Sequence, residues 1–168
     1  MPGPSNDPGR PGAQDPLRFL MRIPVPWVFV LAYVAGIGLD FGLPPAFRSQ
    51  APPGVFIGGA ILFAAGAVIA GWGWVLFRRA GTTRVPGQPS TSLVTSGPYR
   101  VCRNPMYVGL ALAYLGEAGL LEQLGPVVLL PLVLAYLNGV VVRVEEARLR
   151  EVFGDAYDRY CARTRRWI

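Results

Sequence analysis

Three polar stretches in an otherwise apolar chain carry residue types that could do chemistry. The first is SGPYRVCRNPMYVG, from Ser96 to Gly109, where Gly97-Pro98 marks a turn and Asn104-Pro105 marks a helix start, with Asn as cap and Pro at the first helical position. Arg100 and Arg103 lie just before that helix N-terminus, where free N–H groups and the positive dipole end favour a carboxylate or phosphate. Contact with lipid headgroups would use the same groups. The second stretch is the adjacent pair Glu145 and Glu146, which helical spacing places on neighbouring stripes, one with Asn138 and Val142 and the other with Tyr136 and Arg143. A carboxylate there would accept hydrogen bonds from ligand hydroxyl or amino groups, or counter a cation. Surface pairing of Glu145 with Arg148 and of Glu146 with Arg150 is the structural alternative. The third stretch is the tail FGDAYDRYCARTRRWI, whose Tyr157, Tyr160 and arginines 159, 163, 165 and 166 suit a helix lying on a membrane surface. It could equally be a lid that supplies Arg163 or Arg166 to an anionic ligand.

The chain has no His, which removes the usual imidazole base and metal ligand, so a zinc enzyme is not expected and catalysis would run on carboxylates, tyrosines, arginines or a cofactor. Cys102 and Cys161 fall in segments expected to face the cytoplasm, where a structural disulfide is not expected.

The elements that must position these residues are apolar. With 52% hydrophobic and 15% charged residues over 168 positions, the chain has one domain's worth of material and too few charges for a soluble surface. Residues 1–16 are rich in Pro, Gly and polar types and are expected to be a disordered tail, leaving 17–168 as the single domain. Apolar runs at about 25–43, 54–77, 105–121 and 125–142 each approach the length that crosses a bilayer. The expected fold is therefore an all-α integral membrane bundle of four transmembrane helices, with a loop at 78–104 and a helical cytoplasmic C-terminal segment at 143–168.

The sixteen basic residues are all Arg, and fifteen of them fall on one side if the N-terminus is inside, Arg48 being the exception. That bias is the positive-inside rule, so both termini are expected in the cytoplasm, in a bacterial inner membrane, and the net charge of +6 does not call for nucleic acid. Membrane lipids are the expected partners; nothing in the chain bears on oligomeric state. Gly54 and Gly58 have the spacing that permits close helix approach. Tyr107, Leu110, Tyr114 and Glu117 share one face of the third run, which should point into the bundle, while Asp40 and Glu117 near the outer ends would snorkel to the interface.

Taken in order, GPYRxxRNPxYxG, an apolar hairpin and EExxLxxxFGxxYxxYxxRxxRWI resemble the isoprenylcysteine carboxyl methyltransferase and phospholipid methyltransferase superfamily over about residues 93–168. The resemblance implies methyl transfer from S-adenosylmethionine, bound on the cytoplasmic side, to a lipophilic or prenylated acceptor arriving from the bilayer. Arg103, Pro105 and Tyr107 match the family's Arg-His-Pro-x-Tyr block, Glu145 and Glu146 its paired acids, and Tyr157, Tyr160, Arg163 and Arg166 its closing segment. Asn104 stands where eukaryotic carboxyl methyltransferases typically carry His, so an amide must meet whatever role that imidazole has. On this resemblance Arg103, Glu146 and Arg163 are the expected catalytic residues. Tyr99, Arg100, Arg103, Asn104, Tyr107, Glu145, Glu146, Tyr157, Tyr160 and Arg166 are the expected cofactor contacts. An NADPH-dependent membrane reductase of sterol-reductase type and a non-catalytic membrane scaffold are the rival expectations.

Overall fold

A computed structural model describes residues 24–42, 52–80 and 92–168, so the expected disordered tail at 1–16, Arg48 and Arg84 lie outside the described residues. The described residues are almost wholly helical: α1 (Val25–Gly42), α2 (Pro53–Arg79), a 3-10 turn (Gly97–Arg100), α3 (Pro105–Leu120), α4 (Leu124–Tyr136), a π-helical turn (Leu137–Val141), α5 (Val142–Phe153) and α6 (Asp155–Arg163). The expected all-α class holds for them. Helix α4, the π turn and α5 form one continuous rod, so the fourth apolar run carries its polar end with it.

Three of these helices are long and apolar enough to cross a membrane: α1, α2 and the rod Leu124–Phe153, with mean hydropathies of 1.6, 2.1 and 2.2. Their outward faces carry large apolar side chains, among them Trp27, Phe41, Ile61, Val68 and Leu132, each more than half exposed. Such a surface is stable against lipid and a liability in water. Helix α3 differs: it has 16 residues and buries Tyr107, Gly109, Tyr114 and Gly116 among its neighbours. It is the central post of the bundle, shorter than α1, α2 and the rod Leu124–Phe153.

Glycine decides how α3 is held, through a different set from the pair expected. A Cβ at Gly54 or Gly58 would meet open space, whereas one at Gly59 would come 2.8 Å from Gly116 O and one at Gly109 would come 2.7 Å from Gly66 O. Gly59 and Gly66 therefore run antiparallel to Gly119/Gly116 and Gly109 with the two backbones in contact, a seam that only hydrogen at Cα permits, and Gly73 continues it against the Met106 side chain. The 54/58 spacing has the right period and lies one residue off this face. A second seam joins α1 to the start of α4, where Gly36 abuts Gly125 and Pro126.

Asp40 closes that second seam. Its Oδ1 accepts a hydrogen bond from Gly125 N at 2.7 Å, so this carboxylate caps the N-terminus of α4 instead of snorkelling outward as expected. Glu117 is exposed, so it leaves the face that Tyr107 and Tyr114 turn inward. The Tyr114 ring packs edge-on against Phe29 and Tyr33 of α1, and its hydroxyl donates to Pro126 O at 3.0 Å. These contacts fix α3 against both partners and set where its lower end, Asn104-Pro105, must lie.

Replacing Gly66 or Gly116 with Leu should separate α2 from α3 and cost about 2 kcal/mol or more. Gly58→Ala should stay within about 0.5 kcal/mol of the parent. Thermal unfolding in detergent compares the three.

Candidate active site

The polar residues gather at the end of the bundle where α3 begins and the rod ends. The 3-10 turn and Val101–Asn104 lead into α3, and Arg103 sits half-buried at the centre of the group. Its Nε and Nη2 donate to Glu146 Oε1 at 3.2 and 3.1 Å, while its Nη1 donates to Cys161 O at 3.2 Å and Thr164 O at 2.6 Å. Its backbone N–H reaches Arg165 O at 2.8 Å, in an isolated bridge that runs Cys102 alongside Arg165. One residue thus ties the loop before α3 to the first turns of α5 and to the end of α6.

Glu146 answers with both oxygens. Arg166 Nη2 donates to Oε2 at 2.6 Å and Arg166 Nε to Oε1 at 3.1 Å, so one buried carboxylate is shared by two guanidiniums. The pairing of Glu146 with Arg150 expected from helix spacing does not form; Arg150 turns to Asp158 of α6 instead, at 3.2 Å on the surface. Glu146 lies beyond the apolar part of the rod. Burial alone would push its carboxyl up, but the Arg166 hydrogen bond and the Arg103 and Arg166 charges outweigh it and hold the group below the ordinary glutamate range. Burial and then the Cys161 thiol push the Tyr157 phenol far up, so it stays neutral.

Glu145 takes a different partner. Its Oε1 accepts a 2.6 Å hydrogen bond from the Tyr107 hydroxyl, which is carried up from α3. Asn104 Nδ2 donates to Arg166 O at 3.1 Å, Tyr160 OH to Tyr99 O at 2.7 Å, and Trp167 Nε1 to Asn138 Oδ1 at 2.9 Å inside the π turn. Of the expected site residues, Tyr99, Arg103, Asn104, Tyr107, Glu145, Glu146, Tyr157, Tyr160 and Arg166 are brought together. Arg100 and Arg163 are exposed and stand outside the network. The Asn138–Trp167 pair and the Thr164 carbonyl were missed. Asn138 could have been found as an amide in an apolar span, but a carbonyl leaves no mark in a sequence.

A cleft opens beside this network, lined by Phe77, Leu93, Tyr99, Asn104, Glu145 and Leu149 among others, with a cavity of about 40 Å³. Its wall is chemically mixed: aromatic rings, the Arg103 guanidinium and two carboxylates, Glu146 engaged at both oxygens and Glu145 at Oε1 by Tyr107. Cys102 and Cys161 are both free thiols, as expected.

Apolar helices with a polar cleft at one end, where the chain's C-terminal residues bond to Arg103, Asn104 and Glu146 of its lining, define a helical membrane protein with a polar site at the end of its bundle. The model of the phospholipid methyltransferase family matches residues 55–156, most of the chain, and the protein belongs to that family. It is 36% identical over 80 residues to the cobalt-zinc-cadmium resistance protein CzcN of Cupriavidus metallidurans, and 35% identical over 80 residues to the nickel-cobalt-cadmium resistance protein NccN of Alcaligenes xylosoxydans xylosoxydans. Each match covers 48% of this chain and 37% of the relative, so the chain spans little more than a third of the length of the curated relatives it matches. No solved structure matches.

The lowered pKa of Glu146 fixes a sign. A glutamate whose folded pKa lies below its unfolded value stabilises in full above about pH 4.3, and that contribution is lost as pH falls through the lowered value. Glu146→Gln should therefore lower stability by about 2 kcal/mol or more at pH 7, because it leaves Arg103 buried without its counter-charge. Melting of the two proteins in detergent should converge as pH is taken below 4.

Proposed function

We propose that this protein transfers a methyl group from S-adenosylmethionine to a lipophilic acceptor at the cytoplasmic face of the membrane. Membership of a methyltransferase family supports the reaction class, and the rival reductase finds no support in it. The observation that carries the cofactor assignment is the donor set around the cleft. Arg103 and the Asn104 amide suit a carboxylate, Glu145 suits an ammonium or ribose hydroxyls, and the rings of Phe77, Tyr99, Tyr157 and Tyr160 suit a purine.

The residues fit the group in kind, and the cofactor would supply an electrophilic methyl on a sulfonium. Displacement at such a carbon needs alignment and the exclusion of water more than a metal or a strong base, and a chain without His meets that need. Within the pair of acids the roles divide. Glu146 is saturated by Arg103 and Arg166 and holds the site together, whereas Glu145, oriented by Tyr107, keeps an oxygen for a ligand. Tyr107 places that carboxylate at the mouth of the apolar bundle, where a lipophilic acceptor would arrive.

In this reading α3 crosses the membrane as the fourth span, sheltered on both sides by longer helices, and both termini face the cytoplasm, where nearly all the arginines then lie.

Isothermal titration of detergent-purified protein should show saturable binding of S-adenosylmethionine and S-adenosylhomocysteine and none of NADPH. Glu145→Gln should weaken S-adenosylhomocysteine binding by roughly tenfold, the loss of one charge-assisted hydrogen bond. Binding of NADPH alone would overturn the reading, and absence of binding by all three would leave a membrane scaffold.

A further inference from the structure

The cleft is too small for its proposed ligand. Sites for drug-sized molecules measure about 300–1,000 Å³, and this one, at about 40 Å³, has room for only a few waters. The chain's last residues do not line it, but they occupy the hydrogen-bonding groups of three residues that do, Arg103, Asn104 and Glu146. Every nitrogen of the Arg103 guanidinium is engaged, partly by Glu146 and partly by the carbonyls of Cys161 and Thr164. The Asn104 amide donates to Arg166 O, and Glu146 is closed by the Arg166 side chain. A cation stands on the carboxylate, and oxygens stand on the guanidinium and the amide. The ammonium and carboxylate of an amino-acid-like zwitterion would make that same pattern at those same atoms.

We propose that the strap Thr164–Ile168 is an internal stand-in for such a zwitterion, pinned by Trp167 on Asn138, and that ligand enters as the strap leaves. Taking the zwitterion to be the methionyl end of the cofactor rests on the function proposed above. The strap is built to be released. Arg165 and Ile168 are exposed, Arg166 is about one-third exposed, and its hold on the protein is a set of hydrogen bonds plus one indole. Segments with little apolar burial open at far less than the global unfolding free energy.

The pin is specific. Trp167 packs against the edge of the core that includes Tyr107 and Leu137, and its N–H finds its acceptor in Asn138, a polar side chain in an apolar rod that needs a partner of its own. That partner sits in the π turn, a helical irregularity frequent at functional sites. When a strap competes with a ligand, the apparent dissociation constant is the intrinsic one divided by the open fraction, so loosening the pin must tighten binding.

The test pairs hydrogen exchange of the peptide covering residues 160–168 with titration of S-adenosylhomocysteine, on the parent and on Trp167→Ala, Trp167→Phe and Asn138→Leu in detergent. Trp167→Phe keeps an aromatic ring against the core while removing the indole N–H, so it loses less packing than Trp167→Ala and guards against a folding defect. All three variants should exchange strap amides about tenfold faster and bind S-adenosylhomocysteine about threefold tighter or more, and ligand should speed strap exchange in the parent. Faster exchange with weaker binding would make the strap a wall of the site and overturn the proposal, as would unchanged exchange. If S-adenosylhomocysteine binds none of the four proteins, the methyltransferase reading falls by itself. Millimolar L-methionine then decides the strap: faster exchange in its presence upholds the stand-in, and unchanged exchange ends it.

Discussion

The guanidinium of Arg103 is the joint on which the polar end of this protein depends. Its hydrogen bonds reach residues 43, 58 and 61 positions away in sequence, so three segments meet at one side chain. Only a planar, permanently charged fork with five donors can serve a carboxylate on one edge and two carbonyls on the other, and Lys could not replace it. Burying that charge costs desolvation, which the shared Glu146 offsets, so the pair contributes register more than net stability. Removing either partner would leave a charge stranded.

That joint forms only because the bundle delivers its parts to one place. Arg103 and Asn104 precede α3, and α3 is fixed at a backbone-to-backbone seam with α2 and by Tyr114 against α1 and α4. The rod from Leu124 to Phe153 continues past its apolar part, so Glu145 and Glu146 ride on the same rigid element that lines the bundle core. The π turn at Leu137–Val141 widens this rod just before its polar end, where Asn138 meets the indole of the tail. Apolar packing supplies the rigidity, and the polar end uses it.

The paired acids show why sequence spacing alone misassigns roles. Helical periodicity puts Glu145 and Glu146 on adjacent stripes and offers Arg148 and Arg150 as nearby partners, yet the buried acid takes its charges from residues far away in the chain. Local i, i+4 pairs are worth only a few tenths of a kcal/mol. A guanidinium held where a carboxylate must be buried outweighs them. The same logic moved Asp40 from an expected snorkel to the cap of α4, because a free helix N-terminus lay within reach. Gly59, Gly66 and Gly73 recur at heptad spacing in the sequence, but whether they or the Gly54/Gly58 pair face a neighbour depends on the rotation of the whole helix.

By itself the sequence determined the helical class, the apolar runs, the three polar stretches and most of the residues that gather at the site. These follow from composition, periodicity and motif order, which act over a turn or two of chain. Tertiary structure alone decided that Glu146 joins two arginines while Glu145 takes Tyr107, that Arg100 and Arg163 face outward, and that the C-terminus bonds to Arg103 and Asn104 and is pinned at Asn138. Those outcomes rest on backbone carbonyls, helix rotation and the meeting of distant segments, and none of the three is carried by residue type.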